Sequence, residues 1–204
     1  MSQHISVNHT DLNGETPWIF MDRDGVILED EGYTPKSETP TLLVDTIGGY
    51  YWRRLRDLGF QFGMVSNQSA INRQLNSLSS IIHRNELMIK ALLEMECKLN
   101  KTTMCPHTPD ENCKCRKPSP TMFYDFLSQG SDKFLRSFMI GDKITDIEAG
   151  NAAGIPPGNL FLVLTGNGLS DYENASDALQ IANVVPSINT ALEMIEKLIV
   201  IWRS

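Results

Sequence analysis

Asp22-Arg23-Asp24-Gly25 ends an apolar run, Trp18-Ile19-Phe20-Met21, and so delivers two carboxylates to the end of a strand-like segment. Side chains alternate faces along a strand, which points Asp22 and Asp24 the same way. Two anions that close are costly without a cation, and a hard divalent ion with oxygen ligands, Mg²⁺, relieves the repulsion. Alone, the motif is equally well read as an Asp- and Gly-rich turn. Three further strand ends offer groups suited to phosphate chemistry. Val65-Ser66-Asn67-Gln68-Ser69 brings hydroxyls and backbone amides that can cradle phosphate oxygens, although an ordinary polar loop also explains it. Arg116-Lys117-Pro118-Ser119-Pro120 holds an ammonium just ahead of a helix that Ser119 can cap and Pro120 can begin; singly, it reads as a solvated lysine. Gly141-Asp142-Lys143-Ile144-Thr145-Asp146 adds another pair of carboxylates, with Asp142 placed to complete a metal site. Four strand ends with fitting groups on one sheet edge are hard to dismiss together.

A second chemistry lies in Cys105-Pro106-His107 and Cys113-Lys114-Cys115. Three thiolates and an imidazole match a closed tetrahedral Zn²⁺ site, the alternative being a reduced structural loop. Four protein ligands leave no open position, so the zinc is expected to fold the loop and position Arg116 and Lys117. Cys97, on a helical stretch, reads as a small buried hydrophobe.

Short apolar runs alternate with helical patterns from Trp18 onward, the signature of an α/β domain with a parallel sheet. Strands are expected over Trp18 to Asp22, Phe60 to Ser66, Thr102 to Cys105, Ser137 to Asp142 and Leu160 to Thr165. Helices are expected over Leu42 to Leu58, Asn72 to Leu99, Pro120 to Gln129, Asp146 to Ala153 and Ile188 to Trp202, with Gly59 and Gly130 ending two of them. Leu75, Leu78, Ile82, Met88, Leu92 and Met95 recur at near-helical spacing and read as core. Residues 1–17 read as a polar leader, a solvated tail in which His4 and His9 have no role, ahead of one domain over 18–204. The apolar chain end, Leu198 to Trp202, is expected to pack on the sheet.

Eighteen basic residues against 25 acidic ones give a net charge of −7, the wrong sign for non-specific binding to nucleic acid or anionic membrane. No apolar run approaches bilayer length and the amino end lacks a signal-peptide core, so a cytoplasmic protein, working as a monomer on a small molecule, is expected.

The order Asp22-x-Asp24-Gly25, Ser66, Lys117, then Gly141-Asp142 with Asp146, resembles the haloacid dehalogenase superfamily of phosphatases over roughly Trp18 to Gly168. That resemblance implies a Rossmann-like sheet sandwiched by helices. It implies that Asp22 attacks phosphorus to form an aspartyl-phosphate, and that Asp24 protonates the leaving oxygen and then activates water. Mg²⁺ would be held by the Asp22 carboxylate, the Asp24 backbone carbonyl and Asp142, with Lys143 contributing its backbone or standing just behind. Ser66 and Lys117 would hold phosphate oxygens. The intervals from Asp24 to Ser66 and from Ser66 to Lys117 are too short for an inserted cap, so the site is expected to be open. The cysteine loop narrows the resemblance to the capless, zinc-loop branch, which contains heptose 1,7-bisphosphate 7-phosphatases and histidinol-phosphate phosphatases. Asp30-Glu31-Gly32-Tyr33, Asn67-Gln68-Ser69 and Leu164-Thr165-Gly166 favour the heptose group. There the first stretch would line the sugar, Asn67, Gln68 and Ser69 would join the substrate site, and Arg116 would recognise the second phosphate. The implied activity is removal of the 7-phosphate of a phosphosugar in surface-glycan (lipopolysaccharide) synthesis. Histidinol-phosphate hydrolysis and a non-catalytic phosphosugar-binding module are the alternatives. Val26, Ser66 and Ala70 depart from the Thr, Thr and Gly usual in the family, and Glu31 places an acid where it can have His.

Overall fold

The computed structural model describes residues 3–9, 16–34, 37–174 and 182–203. Its strands are β1 (Ile5–Asn8), β2 (Trp18–Met21), β3 (Gln61–Asn67), β4 (Lys101–Cys105), β5 (Phe138–Gly141), β6 (Leu160–Val163) and β7 (Asn183–Val185). They form one sheet in the order β1-β4-β3-β2-β5-β6-β7, parallel throughout except for β1, which runs antiparallel to β4. The helices are α1 (Thr46–Asp57), α2 (Leu78–Glu94), α3 (Ile144–Ala153), α4 (Gly168–Asn174) and α5 (Ile188–Arg203).

The middle strand β2 explains the layering. All four of its residues are buried, and the period-2 alternation sends Ile19 and Met21 to one face, Trp18 and Phe20 to the other. On the first face they meet Trp52 of α1, Met88 and Leu92 of α2, and Leu192 and Ile195 of α5. On the second they meet Phe123 and Phe134 from two short 3-10 turns, Phe126 at the end of the first turn, and Ile147 of α3. Register does the rest. Met21 pairs with Met64 on β3 and with Ile140 on β5, so Asp22, Ser66 and Asp142 emerge at one sheet edge, the carboxyl edge where open α/β sheets bind ligands. Among the described residues, the stretches between β2 and α1 and between β3 and α2 hold only turns, bends and isolated bridges, so no cap covers that edge.

The α/β class and the five expected strands are present; several other expectations are corrected. Residues 3–9 are not a free tail. Ile5–Asn8 is an edge strand, His4 Nε2 lies 2.7 Å from Asp125 Oδ2, and His9 Nε2 lies 3.0 Å from Thr102 Oγ1. Residues 1–2 and 10–15 of the expected leader lie outside the described residues. The helix expected over Pro120 to Gln129 is reduced to a 3-10 turn at Thr121–Asp125. Phe126 is drawn into the core against Trp18, ring centroids 4.9 Å apart, and Lys101 Nζ takes the Asp125 carbonyl at 2.6 Å, away from a helical ladder. Helix α2 starts only at Leu78, because Gln74 has φ +57° and Ser77 caps the helix. Its inward stripe is Ile81, Arg84, Asn85, Met88 and Leu92, while Leu75 and Leu78 face outward. Ile199 packs inward as expected, but Val200 and Ile201 are exposed. The short α4 and β7 have no counterpart in the sequence expectations.

Candidate active site

Asp22, at the end of β2, is nearly sealed from solvent and accepts the Arg23 N–H at 2.7 Å. Lys117 Nζ reaches it from the far side of the sheet edge, 3.2 Å from Asp22 Oδ1 and 2.7 Å from Asp146 Oδ1. The amide of Asn67, at the end of β3, fixes this lysine by accepting Lys117 N–H at 3.0 Å and donating to Lys117 O at 3.2 Å. Carboxylate oxygens of Asp22, Asp142 and Asp146 lie within 4.8 Å of one another.

Such a cluster carries its own electrostatic signature. Burial pushes the Asp22 carboxyl up, but Lys117, Lys143, the Ser66 hydroxyl and the Arg23 amide together bring it below the usual range. Asp142 is pushed up to about 7 by burial and by the charges of Asp146 and Asp22. Asp146 is pushed up to about 6 by burial, with Lys117 opposing. Burial pulls Lys143 down, yet Asp142, Asp22 and Asp146 outweigh it and hold it well above its ordinary value. Asp142 Oδ1 is buried without a hydrogen-bond partner. An orphaned anionic oxygen beside two other carboxylates is the environment a hard divalent cation satisfies, so the residues present fit Mg²⁺. The backbone makes room for this cluster with glycine. Gly25 has φ +79°, and a Cβ there would run into Asp142 Oδ2.

Asp24 is held by a fork. Arg23 Nε and Nη2 donate to its two oxygens at 3.0 and 2.9 Å, and Gln68 Nε2 adds a bond at 2.8 Å. Arg23 is anchored in turn on Gln68 Oε1 and Asn85 Oδ1. Gln68 also donates to Ser66 Oγ at 2.9 Å. Asn67 and Gln68, expected to touch substrate, thus spend most of their hydrogen bonds on Lys117, Asp24, Arg23 and Ser66 around them.

Above this floor the cleft has two lobes that meet at Asp24, Tyr33, Asn67, Ser69 and Lys143. The larger, about 460 Å³, contains Asp22, Lys117 and Arg116. The smaller, about 250 Å³, is lined by Asp30, Gly32, Tyr33, Ser69 and Asn167. Glu31 lines neither lobe. Its carboxylate accepts Ser37 Oγ at 2.7 Å and pairs with the Arg84 guanidinium. The Ser37 hydroxyl, followed by Arg84, holds it below the usual carboxylate range. The acid that the sequence sets near an anionic substrate is thereby turned aside and neutralised. Arg84 and Asn167 were not singled out in the sequence; Arg84 reads as a solvated charge on a helix, and Asn167 as a loop residue, because their partners are remote in the chain.

The cysteine loop lies beside the larger lobe. Sγ atoms of Cys105, Cys113 and Cys115 are 3.2 to 3.6 Å apart, and His107 Nδ1 lies 3.4 Å from Cys105 Sγ and 3.2 Å from Cys115 Sγ. Zinc–sulfur bonds of ~2.3 Å in a tetrahedron require sulfur separations of about 3.7 Å, so the four ligands are nearly in place. Burial, reinforced by Cys115, pushes the Cys105 thiol far up, a cost that a bound cation removes. His107 O accepts Arg116 Nη1 at 3.0 Å, tying the loop to the cleft. Cys115→Ser is expected to reduce bound zinc from about one per chain to a small fraction and to lower Tm by roughly 5–10 °C. Metal analysis and thermal denaturation check this, and unchanged zinc content would overturn the assignment.

Residues 114–191 match the family model described as HAD-hyrolase-like. The chain is 34% identical over 174 residues to the D-glycero-beta-D-manno-heptose-1,7-bisphosphate 7-phosphatase of Yersinia pestis, covering 81% of this chain and 90% of that protein. It is 36% identical over 169 residues to a D-glycero-alpha-D-manno-heptose-1,7-bisphosphate 7-phosphatase of Photorhabdus laumondii, covering 76% and 87%. Among solved structures it is similar to the D,D-heptose 1.7-bisphosphate phosphatase from B. bronchiseptica complexed with magnesium and phosphate. The TM-score there is 0.73 at 26% identity, covering 90% of this chain and 99% of that one.

Proposed function

This chain belongs to the haloacid dehalogenase-like family of the D-glycero-D-manno-heptose-1,7-bisphosphate 7-phosphatases, and we propose from that membership that it hydrolyses the 7-phosphate of this sugar bisphosphate through Asp22. The reaction class is phosphoric monoester hydrolysis. The observation that carries the substrate reading is the larger lobe itself, with Asp22 and Lys117 in its lining for the reacting phosphate and Arg116 in the same lining for a second one.

In the proposed reaction an Asp22 oxygen attacks phosphorus, forming the P–O bond of an aspartyl-phosphate as the bond to the sugar's O7 breaks. Asp24 gives a proton to the departing O7, then takes one from the water that attacks the aspartyl-phosphate and frees Asp22 and inorganic phosphate. Arg23 and Gln68 orient Asp24 for both transfers. Lys117 and the Ser66 hydroxyl hold phosphoryl oxygens, so that positioning and charge stabilisation carry most of the rate. Asp22, Asp142 and the Asp24 carbonyl would hold Mg²⁺, which when bound offsets the repulsion between phosphate and carboxylates. Asp30, Gly32, Tyr33 and Ser69 would face the sugar, and Arg116 the remaining phosphate. Glu31 has no substrate role in this reading. Among the described residues no helix is long and apolar enough to cross a membrane, and we place the enzyme in the cytoplasm as a monomer.

Phosphate release with Mg²⁺ tests the reading. The heptose bisphosphate, assayed as both anomers, is expected to exceed histidinol phosphate in kcat/KM by about 10–100-fold, the worth of one charge-assisted contact at Arg116. Equal or faster turnover of histidinol phosphate overturns it.

A further inference from the structure

Asn167 lies in the turn joining β6 to α4, and the proposed reaction gives it no part. Its backbone N–H donates to Asp142 Oδ2 at 2.9 Å, and its Nδ2 lies 3.2 Å from the same oxygen. Nδ2 also donates to Asp30 Oδ2 at 2.9 Å. Asp30 shapes its own loop, since its Oδ1 accepts the Gly32 N–H at 2.9 Å. One amide therefore spans two places with different tasks, the carboxylate at the base of the cleft and the loop that lines its smaller lobe. The loop's other anchors do not touch Asp142. Arg84 holds Glu31 and, at 3.2 Å, the Ser37 carbonyl, and the Arg73 guanidinium sits 5.5 Å from the Tyr33 ring centre.

The geometry at Asp142 shows what the amide accomplishes. With Oδ2 held by both the backbone and the side-chain N–H groups of Asn167, the rotation of the carboxylate is fixed, and Oδ1 remains the buried, unpartnered oxygen. A ligand oxygen fixed in this way meets a cation without first losing rotational freedom, which is how hydrogen-bonded partners of metal ligands raise affinity.

We propose that Asn167 is a positioning residue that fixes the Asp142 ligand oxygen for Mg²⁺ and at the same time holds the Asp30–Tyr33 loop in its sugar-binding shape. Metal affinity and sugar recognition then share one side chain. Because the coupling is thermodynamic, bound metal favours the ordered loop and bound sugar favours the metal. The sugar half of this assignment rests on the heptose bisphosphate reading; the metal half does not.

Asn167→Ala, Asp30→Ala and the double variant separate the two halves. Calorimetry with Mg²⁺ alone is expected to show binding weakened about tenfold in Asn167→Ala, and by less in Asp30→Ala. At saturating Mg²⁺, KM for D-glycero-D-manno-heptose 1,7-bisphosphate is expected to rise about threefold to tenfold in Asn167→Ala. In the Asp30→Ala background the same substitution adds nothing further to KM while its effect on Mg²⁺ binding persists. A side chain that only supported the turn would lower Tm in Asn167→Ala and leave Mg²⁺ affinity unmoved. Wild-type Mg²⁺ affinity in Asn167→Ala overturns the proposal, and multiplicative KM effects overturn the coupling. Should the unmodified enzyme release no phosphate from the heptose bisphosphate, the substrate reading fails, and the calorimetry still decides the metal half.

Discussion

Asp22→Asn is expected to lower kcat by about 10⁴-fold or more while the protein stays folded, since removal of a covalent nucleophile leaves only binding and charge stabilisation. The fold survives for a local reason. Asparagine keeps the volume and the Oδ1 that accepts the Arg23 N–H, and Lys117 keeps its closer partner, Asp146, at 2.7 Å. What is lost is the anionic oxygen proposed to attack phosphorus. A covalent readout separates this from a general loss of binding. Brief exposure to substrate carrying labelled phosphate is expected to leave hydroxylamine-labile label on the unmodified enzyme and none on Asp22→Asn. Turnover within tenfold of normal in the variant would remove Asp22 from the nucleophile role and send the search to another oxygen in the same cluster.

How much of this was legible in the sequence depends on how far apart the partners are. Asp22, Ser66 and Asp142 each follow a run of apolar residues that is buried on both faces, so the strand that delivers each group is written beside it. The zinc ligands are legible for a similar reason, because all four come from one loop and the metal's chemistry depends on their types and spacing. Long-range pairing erased the rest. Arg84 reads as one more charge on a helix, yet it is buried because Glu31 and Ser37 meet it from a loop far back in the chain. Asn167 follows Thr165-Gly166 with nothing local to mark it, and acquires a role only when Asp30 and Asp142 are brought to it. Edge strand β1 carries one half-buried aliphatic, Ile5, and three exposed residues, too weak an alternation to separate from a polar tail. Over Pro120 to Gln129 a capping Ser119, a leading Pro120 and a terminating Gly130 argued for a helix, whereas the burial of Phe123 and Phe126 on the sheet and the Lys101 hydrogen bond select a tighter turn.

Lys117→Met carries the largest expected loss of stability together with a loss of activity. The lysine is buried, and burial alone would pull its ammonium down; Asp146 and Asp22 outweigh that and hold it charged. Methionine fills nearly the same space but leaves Asp22, Asp142 and Asp146 clustered without this counter-ion. Breaking a buried ion pair from one side costs about 3–5 kcal/mol, which for a chain of this size lowers Tm by roughly 6–20 °C. The deficit has a definite pH dependence in metal-free protein. Asp142 at about 7 and Asp146 at about 6 lie above the usual carboxylate range, so the folded state binds more protons than the unfolded one from about pH 4 to 7 and loses stability as pH rises through that window. Lys117 opposes the rise at Asp146 and lowers Asp22. Without it both carboxyls move up, and the gap in Tm between variant and normal protein is expected to be wider at pH 8 than at pH 5. Thermal denaturation in chelator at the two pH values measures this directly. Mg²⁺ then narrows the gap at pH 8, because a cation among the carboxylates replaces part of the missing charge. Activity does not recover in step: with the phosphoryl oxygens deprived of their ammonium, kcat is expected to stay down by about 10²–10³-fold even at saturating Mg²⁺. Full activity in a variant whose stability falls as described would make Lys117 a counter-ion for the carboxylates alone, and would leave the phosphate to Ser66 and the backbone amides beside it.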